Sequence, residues 1–220
     1  MYSNVQVTEP AVEPVSIADA KAQLRLEPAY TKDDIFINGL IKDARDYAEE
    51  ITGLSLINRN WKYTTDNFPG AGVEEEWWDG VREGAMSATF GKSLPIRLPH
   101  GPVSAVVSLT YYDRDDTAHV LSGSLYRLNG PAERILPKTG TSWPSNVRSG
   151  DAVEVVYTAG YGAAPINVPQ GIRRAILFLI AHWYENREII LQGNAAVTML
   201  VGEVPQTATE ILSKYRRMRL

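Results

Sequence analysis

The spacing of apolar residues changes three times along this chain, and each change marks a different kind of element. Ile37, Leu40, Ile41, Ala44, Tyr47, Ala48 and Ile51 recur at three and four residues, the spacing of one helix face. Thr31 and Asp34 precede them at the capping-box offset, and Gly53 sits where a C-terminal cap belongs. The pattern predicts a helix over 31–52. Ser16 and Asp19 repeat the capping signal for a shorter helix over 16–27, with Ile17, Ala20 and Leu24 on one face and Pro28 ending it.

From Leu56 the period falls to two. Trp61, Tyr63 and Thr65 alternate as in a half-buried strand, and strand-like runs follow at Leu94–Leu98, Val103–Tyr112, Ala118–Leu121, Leu125–Leu128, Arg134–Leu136 and Ala152–Thr158. Asp113-Arg114-Asp115-Asp116, Asn129-Gly130 and Ser149-Gly150 punctuate them as turns. Residues 69–93 keep no period. Five glycines surround Glu74-Glu75-Glu76-Trp77-Trp78-Asp79 there, so a long loop or a mobile hairpin is expected.

The third change comes at PQGIRRAILFLIAHWYENREIIL, residues 169–191. Pro169 suits a first helical turn. Ala175 to Tyr184 then run apolar except for His182, ten residues in all, short of the roughly 20 that cross a bilayer. Ile172, Ile176, Leu179, Ile180 and Trp183 share one face, with Leu177, Phe178 and Tyr184 on the flanks. Such a helix must be enclosed by other elements or by another subunit. The cheapest arrangement packs 16–53 against 169–191.

The expected class is therefore α+β, a helical bundle built from both ends of the chain with an inserted small antiparallel β unit. Its parts are an extended arm over 1–15, a domain over 16–191 whose β-rich middle spans 56–158, and a C-terminal piece over 192–220. In that last piece Thr207 or Thr209 is expected to cap a helix. Ile211, Leu212, Tyr215 and Met218 form its apolar stripe, among Lys214, Arg216, Arg217 and Arg219.

Composition narrows the chemistry. The 220 residues carry a net charge of −4 and no cysteine, which removes disulfides, thiol nucleophiles and thiolate metal sites. The N-terminus has neither a basic start nor an apolar run, so a cytosolic protein without a secretory signal or membrane span is expected. Asp113, Asp115, Asp116 and His119 lack the glycine and distal glutamate of a calcium loop and read as a hairpin tip. His182 and Glu185 lie one helical turn apart with no second histidine nearby, so a satisfied core histidine is expected rather than zinc. Gly160-Tyr161-Gly162 lacks the lysine of a phosphate loop, and Ser122-Gly123-Ser124 lacks a nucleophile elbow's flanks. No nucleophile, base and oxyanion set assembles, so no enzyme, metal or cofactor is expected.

The order of parts resembles the head–tail connector (adaptor) family of long-tailed phages, prophages and gene transfer agents. The resemblance runs over residues 14–191, through PVSIADAKAQLRL, TKDDIFINGLIKDARDYAEEITGLSL and VPQGIRRAILFLIAHWYENRE. Its most specific pieces are the Asp33-Asp34 helix start, the Thr52-Gly53 helix end and the run His182-Trp183-Tyr184-Glu185-Asn186-Arg187-Glu188. The resemblance implies a virion protein at the head–tail junction, assembled in the bacterial cytoplasm as a ring of usually twelve subunits. That ring docks under the portal, extends the DNA channel without sequence-specific contact, and carries the stopper or tail proteins. A mildly acidic chain suits a channel through which DNA must slide.

Two surfaces follow as expectations. Glu74, Glu75, Glu76, Trp77 and Trp78 are expected to meet a neighbouring subunit or a tail protein, because aromatic anchors are enriched at interfaces. Residues 205–220 are expected to grip the portal through Ile211, Leu212, Lys214, Tyr215, Arg216, Arg217, Met218 and Arg219. On that reading the helix orders only on docking, and a chain cut at 204 keeps its fold. Two other functions use the same residues: a small DNA-binding regulator acting through the basic C-terminus, and a metal-dependent hydrolase built on the aspartate cluster.

Overall fold

A computed structural model describes residues 2–69, 94–130, 133–187 and 205–217. The expected loop over 69–93 therefore lies outside the described residues apart from Pro69. Helices and antiparallel strands both contribute, so the chain is α+β. It divides into two compact units, one of Met1–Glu9 and Arg59–Gly160 and the other of Pro10–Asn58 and Tyr161–Leu220.

The second unit holds the described helices: α1 (Ile17–Gln23), α2 (Asp34–Thr52), α3 (Gln170–Glu185) and α4 (Gln206–Ser213). Ser16 closes the capping box at the start of α1: its Oγ accepts from the Asp19 N–H at 3.1 Å, and Asp19 accepts from the Ser16 N–H. Gly53 ends α2 in the left-handed conformation at φ 68°, its N–H returning to the Glu49 carbonyl, as the glycine at that position predicts. Between these caps the periodic residues bury as one face. Ile37, Ile41, Ala44 and Ala48 of α2 join Ile172, Ile176, Leu179 and Ile180 of α3 in a single core.

Two helix starts differ from the sequence reading. Helix α2 begins at Asp34 with Asp33 in the cap position, and no side chain caps it. The Asp33 carboxylate is engaged elsewhere, as described below. Helix α4 begins at Gln206 behind Pro205 rather than at a threonine cap, and the Thr209 hydroxyl donates backward to the Gln206 carbonyl at 2.8 Å. Helix α3 stops at Glu185, where the side chain and backbone amides of Asn186 both return to the His182 carbonyl.

The other unit contains β1 (Tyr2–Gln6), β2 (Arg59–Thr65), β3 (Ile96–Arg97), β4 (Val103–Tyr112), β5 (Ala118–Val120), β6 (Tyr126–Asn129), β7 (Arg134–Pro137) and β8 (Val153–Ala159). They form a five-stranded sheet in the order β1-β2-β8-β4-β5 and a three-stranded sheet in the order β3-β7-β6. Residues 1–15 are thus not one free arm: Tyr2–Gln6 pairs antiparallel with β2. An extended segment leaves its backbone groups unpaired, and a sheet edge satisfies one side of them.

Strand alternation sorts the two faces. Val153, Val155, Tyr157 and Ala159 of β8 are fully buried, while Glu154, Val156 and Thr158 between them are partly exposed. The buried set joins Leu109, Trp61, Ile96 and Ile135 in one core. Phe68 and Trp143 stack at 5.0 Å between ring centroids, and the Trp143 Nε1–H donates to the Leu94 carbonyl. The Asp113–Asp116 segment is the tip between β4 and β5. Asp113 Oδ1 accepts from the N–H groups of Asp115 and Thr117, and Oδ2 lies 2.7 Å from His119 Nε2. That set of bonds explains why the aspartates are there as a turn, with the His119 contact and the Thr117 amide holding the Asp113 carboxyl below its usual range.

Candidate partner and subunit interfaces

The residues that carry the family resemblance lie far apart in sequence, and the helical unit brings two of its pieces together. Asp33, just before α2, meets the end of α3. Its Oδ2 accepts from the Tyr184 hydroxyl at 2.5 Å and from Arg187 Nη2 at 2.9 Å. The Arg187 guanidinium lies 4.6 Å from the ring centroids of both Phe36 and Tyr184. One carboxylate therefore fixes the exit of α3 to the entry of α2, and the two aromatic rings lie within cation–π distance of the arginine that completes the contact. The Tyr184 bond first and the Arg187 bond second keep the Asp33 carboxyl below the ordinary 3.8 of an aspartate.

The sign of that shift sets a pH test. A carboxyl whose folded pKa is depressed contributes stability that is fully present above the unfolded value and is lost as pH falls through the folded one. Asp33→Asn is expected to lower the melting temperature at neutral pH. The gap to wild type should begin to narrow as pH falls below the ordinary 3.8 and should close only further down, where the wild-type carboxyl of the folded protein itself protonates. Thermal melts of both proteins from pH 7 to 3 check this; a gap independent of pH would mean that the charge is not what matters.

Neighbouring acids and bases also belong to this unit. Asp34 pairs with the buried Lys21 at 2.7 Å, which ties α1 to the start of α2. Arg45, buried on α2, meets Glu13 at 2.6 Å and Asp46 at 2.9 Å. Sequence spacing makes Arg45 part of the solvated face, and the structure corrects that. Residues before α1 fold back over it, so its charge is held by a partner 32 positions away.

The C-terminal helix is placed where its stripe did not foretell. Leu212 and Ala208 are fully buried in the helical core, and Ile211 and Tyr215 pack against it. Of the stripe assigned to a portal groove, Leu212 is fully covered and Ile211 and Tyr215 partly covered by the subunit's own helices, where α4 packs on α3 and α2. Gly171 shows how close the fit is: a Cβ there would lie 2.6 Å from the Tyr215 hydroxyl oxygen and 3.1 Å from its ring. A glycine in the first turn of a helix is costly unless something needs the space. It is the one signal in the sequence for this contact. The Arg217 N–H then donates to the Thr52 carbonyl at 3.0 Å, at the same helix end that Gly53 closes. Lys214 and Arg216 remain exposed. Met218 and Arg219 lie outside the described residues, as do Glu74, Glu75, Glu76, Trp77 and Trp78.

Among the described residues no group of three or more histidine, aspartate and glutamate side chains is placed to hold a metal ion, and no helix is long and apolar enough to cross a membrane. Ser122 and Ser124 join their hydroxyls at 2.9 Å within a turn.

Comparison with known proteins gives the arrangement a setting. No curated protein matches the chain. Its fold is similar to a chain in the neck of an empty gene transfer agent particle computed with C6 symmetry. The TM-score is 0.69 at 21% identity, over 99% of this chain and 97% of that one. It is also similar to a chain in the virion of a native gene transfer agent particle, with TM-score 0.70 and 22% identity over 99% and 96%. A third similar chain lies in the neck of a native particle computed with C12 symmetry, with TM-score 0.64 and 21% identity over 99% and 97%. The sequence profile described as phage gp6-like head-tail connector protein matches residues 14–115 and 133–216, and so takes in α1 to α4 and most of the strands. This chain belongs to the phage gp6-like head–tail connector family.

Proposed function

We propose that the protein is the adaptor ring beneath the portal, extending the DNA channel and carrying the stopper or tail proteins below. It is a structural, non-enzymatic connector by family. The observation that carries the ring is the extent of the likeness: 99% of this chain and 97% of a neck chain share one fold, and such necks were computed with C6 and C12 symmetry.

In this reading twelve copies stand at the head–tail junction of the virion, each meeting its neighbours through two different side faces. Exposed Lys214 and Arg216 offer the portal positive charge beside a helix already ordered on its own subunit. Carboxylates of the portal would meet Arg216 through paired hydrogen bonds. The net charge of −4 lets DNA pass without being held. Negative-stain imaging of the purified protein, alone and mixed with portal, is the test. Rings are expected in at least the mixture, stacked coaxially on the portal. Monomers only, in both samples, would overturn the reading.

A further inference from the structure

The strand β1 lies at one edge of the five-stranded sheet, and the hydrogen-bond register shows which of its groups face outward. The Val7 N–H donates to the Asn60 carbonyl at 2.9 Å. In an antiparallel pair, bonded and non-bonded residues alternate. Ser3, Val5 and Val7 therefore face β2, in register with Thr64, Lys62 and Asn60. Asn4 and Gln6 point their backbone N–H and C=O groups to the open side.

Sheet edges of this kind are ordinarily blunted by charge, proline or a bulge. From Tyr2 to Thr8 there is no ionisable side chain but the tyrosine, no proline and no glycine, and the register with β2 runs unbroken. The opposite edge is handled differently. There β5 has three residues, β4 carries two irregularities, and the charged Asp113–Asp116 tip projects between them. The β1 edge also carries uncovered apolar surface, with Val5 59% and Val7 52% exposed.

We propose that the open edge of β1 receives an extended strand from an adjacent copy of this chain, bonded through Asn4 and Gln6, with Val5 and Val7 covered by that copy. The inference rests on the ring reading. An edge with no charge between Tyr2 and Thr8 offers nothing for an oppositely charged partner to recognise, whereas backbone pairing accepts any strand held at the right distance. A ring holds an identical copy there at every position. A head-to-tail ring also needs two unlike surfaces on each subunit, and among the described residues the β1 edge of this sheet is unguarded while the β5 edge is not.

Amide hydrogen exchange of monomer and assembled ring tests it. In the monomer Asn4 and Gln6 are expected to exchange freely while Val5 and Val7 are protected by β2. In the ring Asn4 and Gln6 should slow by about tenfold or more. Gln6→Pro removes an outward N–H without taking a bond from β2. It should shift rings toward monomers at equal concentration with the melting temperature kept. Val5→Lys, on the outer face, should do the same. Rings that form with Asn4 and Gln6 still exchanging freely would overturn this inference and leave the ring standing. Protection that appears only when portal or tail protein is added would assign the edge to that partner and overturn it too. The absence of rings under every condition would remove the ring reading and this inference together.

Discussion

Leu179→Asp is expected to leave no soluble folded protein. Leu179 is fully buried at the middle of α3, in the core that α2 and α3 share with α1 and α4. It belongs to one buried apolar cluster with Ile37, Ile41, Ala44, Ile176 and Ile180, and the buried cations of these helices, Lys21 and Arg45, are already paired with Asp34 and with Glu13 and Asp46. An aspartate there either stays charged without a partner or takes up a proton. Both cost several kcal/mol against a total stability of about 5–15 kcal/mol. Expression as inclusion bodies, or a protein that melts without cooperativity, is the expected outcome. Leu177→Asp, on a partly covered flank of the same helix, should be milder. Equal melting of Leu179→Asp and wild type would mean that α3 is not the core helix.

How much of this fold could be read in the sequence depended on whether the partner of each residue was local. The face of α2 is set by spacing alone, so Ile37, Leu40, Ile41, Ala44 and Ala48 were legible one by one. The same holds for the Ser16 and Gly53 caps, which work within a few residues. Val103–Tyr112 is found at the predicted bounds because its flanking turns are chemically explicit. Strand β1 was not legible. Its valines face outward and Asn4 faces inward, where Asn4 Oδ1 accepts from the Tyr157 hydroxyl at 3.3 Å, so the usual polarity of an edge strand is inverted. Nor was the fate of Asp33 legible, since Tyr184 lies 151 residues away. An N-capping aspartate and an aspartate diverted to a distant tyrosine look alike in a sequence. The same limit misassigned Arg45. The family motifs were informative because they named both halves of such a contact, the Asp33 side and the Tyr184–Arg187 side, without giving its geometry.

The C-terminal helix separates stability from partner binding, and a pair of variants is expected to show it. An apolar stripe on a short helix says that something covers it and does not say what. In this protein the cover is the same chain, with Leu212 and Ala208 at zero exposure and Tyr215 seated over Gly171. Cutting the chain at 204 would therefore strip the helical core, and such a truncation cannot report on the portal. Leu212→Ala is expected to cost about 2–5 kcal/mol by leaving a cavity among packed helices. Lys214→Glu with Arg216→Glu should change stability by no more than about 0.5 kcal/mol each, because both side chains are exposed. Under the adaptor reading this second variant is the one that fails to join portal-filled heads, since it turns two attractive charges into repulsive ones at the contact. Melting curves together with a head-attachment assay on both variants tell the two roles apart. Normal attachment by the charge-reversed protein would exclude Lys214 and Arg216 from the portal contact. Unchanged melting of Leu212→Ala would mean that α4 is not part of the helical core.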